Sequence, residues 1–289
     1  MAINNSLVSL STVLPVTPEL GSACAARQAA GRFRIGKPNT GNRGSAPPVR
    51  WARADSPRRS LDSVHRSVQQ VELFRDLSVS ECGEIAKVAR EQFVLRGETI
   101  FFEDDPVHFV YAVASGRVKT FRSNRVGKLV ILHLHGPGEV VDGLELSTGS
   151  SHSFTAQAMS QCRILTWDVR TFEAFVRRCP SLQRNATRLL ARRLRLAEGR
   201  LQELATERVP QRLARVLLRL IVQSGGSQNE SIDLSCEELA HMAGTTLSTV
   251  SRLLCNWAAE GIIQPERSAI LVENVPGLID VANGGGHSL

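Results

Sequence analysis

Five residues in the stretch TTLSTVSRLLCNW, residues 245–257, carry side chains suited to reading another molecule through hydrogen bonds: Thr246, Ser248, Thr249, Ser251 and Arg252. Hydroxyls donate and accept, and a guanidinium presents a planar fork of donors that matches paired acceptors. Leu247, Val250, Leu254 and Trp257 recur at helical spacing, which predicts a helix with those four toward a core and Ser248, Arg252 and Asn256 on the other side. A second group, Asp142, His152 and the nearby serines, has the residue types of a nucleophile site. No nucleophile elbow, phosphate loop or metal motif accompanies it, so the chain is not read as an enzyme. His133 and His135 alternate so as to share one face of a strand, a pattern expected of hydrogen-bonded structure rather than of ligands, and no metal site is assigned.

The elements around residues 245–257 say what such a helix reads. Ser235 with Glu238 three residues on forms a capping box for a short helix, CEELAHMA, which stops at Gly244, and Thr245 or Thr246 caps the next one. Two short helices joined by a tight glycine turn make a helix-turn-helix. The amphipathic VPQRLARVLLRLIVQSG precedes it, ending in a turn at Gly225–Gly226, and GIIQPERSAILVENV follows as a β-hairpin wing. In such a motif the second helix enters the major groove of DNA with its N-terminal residues against base edges. Thr246 and Ser248 are then within reach of phosphate or base groups, and Arg252 forks onto the O6 and N7 of a guanine or clamps a phosphate. Residues 206–289 hold six Arg against nine acids, so any attraction for DNA is local. The alternative is a ligand-binding regulatory protein whose C-terminal helices bind a protein partner instead.

Upstream, CPSLQRNATRLLARRLRLAEGRLQELATE reads as one long helix with Pro180 in its first turn. Gln183, Thr187, Leu190, Leu194, Ala197, Leu201 and Leu204 follow the alternating spacing of a coiled-coil seam, with arginines between them. The stripe belongs either to a helix packed on its own domain with a solvated arginine face or to a parallel homodimer; its narrowness favours the dimer. No acid interrupts it from Leu190 to Leu204, so dimerisation without ligand is expected. Residues 93–170 are short β-rich runs between Gly, Asp, Pro and Asn turns, the pattern of an antiparallel jelly roll, and ELFRDLSVSECGEIAKVAR before them has helical spacing through Leu77, Ile85 and Val88.

The net charge of +7 resides in the first 60 residues, where nine Lys and Arg face only Glu19 and Asp55; the remainder is neutral. This Gly-, Pro-, Ser- and Arg-rich start reads as a disordered basic tail, residues 1–68, with an organellar transit peptide, a non-functional extension or a misplaced start codon as its other readings. The remaining parts are a β-roll sensor domain at 69–180, a dimerisation helix at 181–206 and a winged helix-turn-helix at 207–289. No apolar stretch approaches the roughly 20 residues of a spanning helix. Six cysteines without a C-x-x-C fit a reducing cytoplasm and exclude a zinc finger.

Over residues 70 to about 280 the chain resembles the Crp/Fnr family of bacterial transcription regulators. RGETIFFEDDPVHFVYAVASGRVKTFR is similar to the family's opening strands, PGEVVDGLELSTGSSHSFTAQAMSQC to its effector-loop region in the Fnr branch, and GTTLSTVSRLL to its recognition helix. The resemblance implies an α+β fold with a cyclic-nucleotide-binding-type β-roll, a long dimerisation helix and a winged helix-turn-helix on palindromic DNA, with RNA polymerase as a further partner. Members that bind cyclic AMP place a Gly-Glu pair on the ribose and an Arg-Ser pair on the cyclic phosphate. Here those effector-pocket positions are Asp142-Gly143 and His152-Ser153, so the fixed cation is lost and cyclic AMP is not expected. Only Cys24 precedes the first helical segment, which argues against the iron–sulfur cluster of Fnr-type sensors. By residue type alone, a haem would draw on His108, His133, His135 or His152. Ser248 stands where many members carry a glutamate, so a relaxed or altered base preference is expected there.

Overall fold

A computed structural model describes residues 61–124, 127–144, 150–224, 231–266 and 269–285. Residues 1–60, Gly225–Gly226 and part of the effector-loop region, residues 145–149, lie outside the described residues. Helix α1 (Leu61–Gln70), a 3₁₀ turn (Glu72–Phe74) and α2 (Val79–Val88) lead into the β domain. Residues 61–68 were grouped with the basic tail by composition, but they form most of α1, which buries Val68 and carries Val64 against the core. Val88 at the end of α2 lies exposed, and Cys82, Ile85 and Ala86 line its inner face.

Eight strands follow: β1 (Arg90–Val94), β2 (Thr99–Phe101), β3 (Phe109–Ser115), β4 (Val118–Ser123), β5 (Leu129–His135), β6 (Val140–Asp142), β7 (Thr155–Ala158) and β8 (Cys162–Asp168). They form two four-stranded antiparallel sheets, ordered β1-β8-β3-β6 and β2-β7-β4-β5. Because strand side chains alternate, β3 sends Val110, Ala112 and Ala114 toward the helices and Tyr111 and Val113 between the sheets. Likewise β8 gives Leu165 and Trp167 to the helical side and Cys162 and Ile164 to the sandwich. Both faces of this sheet are buried, which is why FVYAVAS reads as a continuous apolar run. Trp167 anchors the helical side, with its Nε1–H donating to Ile85 O at 3.0 Å and Phe74 edge-on at 5.2 Å.

After α3 (Val169–Arg178), α4 runs unbroken from Pro180 to Thr206, through Gly199. Leu182, Asn185, Ala186 and Leu189 form its inner face, and the Asn185 amide donates to the carbonyls of Leu73 and Arg75 at 3.1 and 2.6 Å. Its arginines are not a uniformly solvated face: Arg192 pairs with Glu72 at 2.8 Å, Arg193 donates to Val140 O and Arg200 to Leu132 O. The last part comprises α5 (Val209–Ser224), β9 (Ser231–Ile232), α6 (Cys236–Ala243), α7 (Leu247–Ala259), β10 (Ile263–Pro265), β11 (Ile270–Val272) and α8 (Val275–Ala282). The expected wing is the antiparallel pair β10 and β11, extended by β9.

One strand belongs to two parts of the molecule. On β5 the pairing with β4 shifts between His133, opposite Thr120, and Ile131, opposite Phe121, leaving Leu132 as an extra residue. This bulge turns Ile131 and Leu134 toward the core of the helix-turn-helix and leaves His133 and His135 on the other face. Lys119 of β4 spans the same junction to Glu238 of α6 at 2.9 Å.

Candidate nucleic-acid interface and effector pocket

The first of the paired helices, α6, begins in the capping box of Ser235 and Glu238 and ends at Gly244, whose φ of 64° is the left-handed conformation that glycine adopts without cost. Thr246, rather than Thr245, caps α7, its hydroxyl accepting from Thr249 N–H at 3.3 Å and lying 3.0 Å from the Ser248 hydroxyl. Val250, Leu253, Leu254 and Trp257 are the buried residues of α7. Leu247 was expected with them, but core contact begins one turn further in, and at 52% exposed it joins the outward surface. Leu253, on the opposite edge of the same stripe, is buried instead.

Ser248, Arg252 and Asn256 are exposed, with Thr249 and Ser251 half-buried at the margin. Among the described residues the Arg252 guanidinium has no hydrogen-bond or ion-pair partner, whereas Arg212, Arg215 and Arg219 of α5 are all held by protein oxygens. A helix N-terminus with free N–H groups, hydroxyls and an unpaired guanidinium beside it is suited to phosphate and to base edges alike.

The effector-pocket positions are arranged differently. His152 is 2% exposed, stacked on Phe101 with ring centres 3.8 Å apart, and its Nδ1 lies 2.6 Å from Asp142 Oδ2. The two residues expected to face a ligand face each other. Burial, with Asp142 and Asp105 nearby, raises the Tyr111 phenol above its ordinary value, so a neutral hydroxyl borders this pair. Gly143 is there for packing: at φ 89°, a Cβ would stand 2.7 Å from Val110 Cα. Ser153 is exposed. Of the four histidines, His152 has its Nδ1 engaged by Asp142, and His108 is exposed on the segment before β3.

Along α4 the residues expected to form a seam, Leu190, Leu194, Ala197, Leu201 and Leu204, are all exposed, Leu194 by 61% and Leu201 by 69%. An apolar stripe of this kind on one helix face is unusual for a lone chain.

A third cluster includes Glu139, which nothing in the sequence reading picked out. The donor atoms of His133, His135 and Glu139 lie within 4.8 Å of one another, at the end of β5 and the turn before β6. Burial, then His133 and Arg193, push His135 well below the ordinary imidazole value. Burial works to raise the Glu139 carboxyl, but the adjoining His133 ring, the Gly136 N–H and Arg192 together hold it below its usual range.

A β-roll joined by a long helix to a winged helix-turn-helix defines a sensor-linked regulator of the DNA-binding kind. The comparisons with known proteins agree. A cyclic nucleotide-binding domain model matches residues 91–179 and a Crp-like helix-turn-helix domain model residues 211–281. The chain is 32% identical over 212 residues to the cyclic AMP receptor protein of Thermus thermophilus, covering 73% of this chain and 97% of that protein. It is 31% identical over 207 residues to the transcriptional regulatory protein btr of Bordetella pertussis, covering 70% and 85%. Among solved structures, FixK2 from Bradyrhizobium japonicum aligns with a TM-score of 0.62 at 25% identity, over 70% of this chain and 100% of that one. The chain belongs to the Crp/Fnr family and is a DNA-binding transcription regulator. Among the described residues no helix is long and apolar enough to cross a membrane.

Proposed function

We propose that the chain acts in the cytoplasm as a homodimer that reads a palindromic DNA site with α7, and that contact with RNA polymerase carries the regulatory outcome. The observation that carries the reading is the outward face of α7: Arg252, without a partner among the described residues, and the hydroxyl of Ser248, on a helix whose other side is locked into the core by Val250, Leu253, Leu254 and Trp257. Arg252 supplies the fork for a guanine or a phosphate, Thr246, Ser248, Thr249 and Ser251 add hydroxyls along the groove, and Leu247 offers an apolar surface to a thymine methyl. The exposed stripe on α4 supports the dimer, because two copies of it close into a seam that sets two recognition helices across a two-fold axis.

The pocket does not fit cyclic AMP. His152 stands where cyclic-AMP-binding members carry the arginine of the phosphate-binding pair, and its Nδ1 is already committed to Asp142. Addition of cyclic AMP should leave both the melting temperature and DNA affinity unmoved. Selection of bound sites from a random duplex library tests the main reading: wild type should enrich a palindrome, and Arg252→Ala should not. Equal enrichment of a palindrome by both proteins would remove Arg252 from the reading surface. Sedimentation at micromolar concentration should show a dimer, and Leu194→Asp should convert it to monomer; a wild-type monomer would remove the two-fold argument.

A further inference from the structure

We infer that His133, His135 and Glu139 form a binding site for a divalent transition-metal cation of the zinc kind, with a position left open to solvent. The argument begins with distances. His133 Nε2 stands 3.6 Å and His135 Nδ1 3.9 Å from the same oxygen, Glu139 Oε2. Those gaps exceed a hydrogen bond and leave no space for an intervening water. Ligand atoms around a tetrahedral zinc ion, each roughly 2.0–2.2 Å from the metal, stand about 3.4 Å from one another. The cluster therefore closes onto an ion with side-chain movements below about 1.5 Å.

The surroundings hold the donors in the orientation a metal needs. Thr120 Oγ1 lies 3.4 Å from His135 Nε2, which engages that nitrogen and leaves Nδ1 directed at Glu139. Gly136 N–H donates to Glu139 Oε2 at 3.2 Å. Such outer partners fix ring orientation and carboxylate position in metal sites. Access comes from the opposite side: the side chain of His135 is 4% exposed, but those of His133 and Glu139 are 26% and 25% exposed. Two α4 cations lie nearby without occupying the carboxylate, since Arg192 pairs with Glu72 and Arg193 is bound to Val140 O. Two imidazoles and one carboxylate favour zinc, iron, cobalt or nickel over calcium or magnesium.

Cobalt(II) is the probe, because its visible absorption reports both occupancy and ligand type. Titrated into full-length protein stripped by chelator, it should give one saturable band per chain that stoichiometric zinc abolishes. His133→Ala and Glu139→Gln should each weaken binding at least 100-fold while melting like wild type; Thr120→Val should weaken it about 10–100-fold. His241→Ala should bind as wild type does. The inference is overturned by no band in the wild type, by equal bands in His133→Ala and Glu139→Gln, or by intense thiolate-to-cobalt absorption in the near ultraviolet. If one variant fails to melt like wild type, the other decides.

Discussion

The effector-pocket positions and the outer face of α7 are both polar, and they use polarity in opposite ways. Asp142 and His152 satisfy each other beneath Phe101, so this pair contributes to the fold and offers little to a ligand. Ser248 and Arg252 contribute almost nothing to the fold and stand open to solvent. Polar groups closed on one another are an investment in structure, whereas polar groups left open on a rigid element are available for recognition.

The first way to break this comparison is His152→Ala, which removes a stacked buried ring and strands Asp142. It should cost about 2–4 kcal/mol of stability by denaturant unfolding, and a loss below about 0.5 kcal/mol would mean the pair is not structural. Arg252→Ala should do the reverse: unfolding unchanged within about 0.5 kcal/mol, and specific DNA binding weakened by about 1–3 kcal/mol, read as a shift in titration midpoint. A third test concerns the junction between the two regions. Burial alone would raise the Glu238 carboxyl, but Lys119 and the Ser235 bonds hold it below the ordinary value. Its contribution is therefore present above the unfolded carboxyl value of about 4.3 and lost as pH falls through the lower folded value. In Glu238→Gln the acid side of the stability curve should flatten, with about 1 kcal/mol lost at neutral pH. Ser248→Ala is the mildest, expected to leave stability alone and change preference at one base pair by about 1 kcal/mol or less.

The strands of the β-roll, the long helix, the capped helix pair and the wing were legible because each carries its own local signal: β-branched runs between turn residues, Pro180 at a helix start, Ser235 with Glu238, Gly244 at a stop. What escaped depended on contacts between distant parts. Nothing in LVILHLH announces that Leu132 is an extra residue, because a bulge is a matter of pairing with β4. Periodicity placed Leu247 in the core since spacing is blind to where the neighbouring helix ends. The Asp142–His152 pair joins the end of β6 to the segment before β7, ten residues on, and Glu139 reaches the histidines only because the chain reverses at Gly136 and Gly138. The positions of the candidate recognition residues were legible; that Arg252 has no partner among the described residues was not.

The bulge in β5 also sets a threshold for motion. Ile131 and Leu134 are buried with the core of the helix-turn-helix, and moving that part away would return them to water at up to about 1.5–3 kcal/mol each. Together that is an energy gap equivalent to roughly a 10²–10⁴-fold bias toward the docked arrangement. Leu132 makes the strand a latch, and any signal that repositions α7 by undocking it must first overcome that bias.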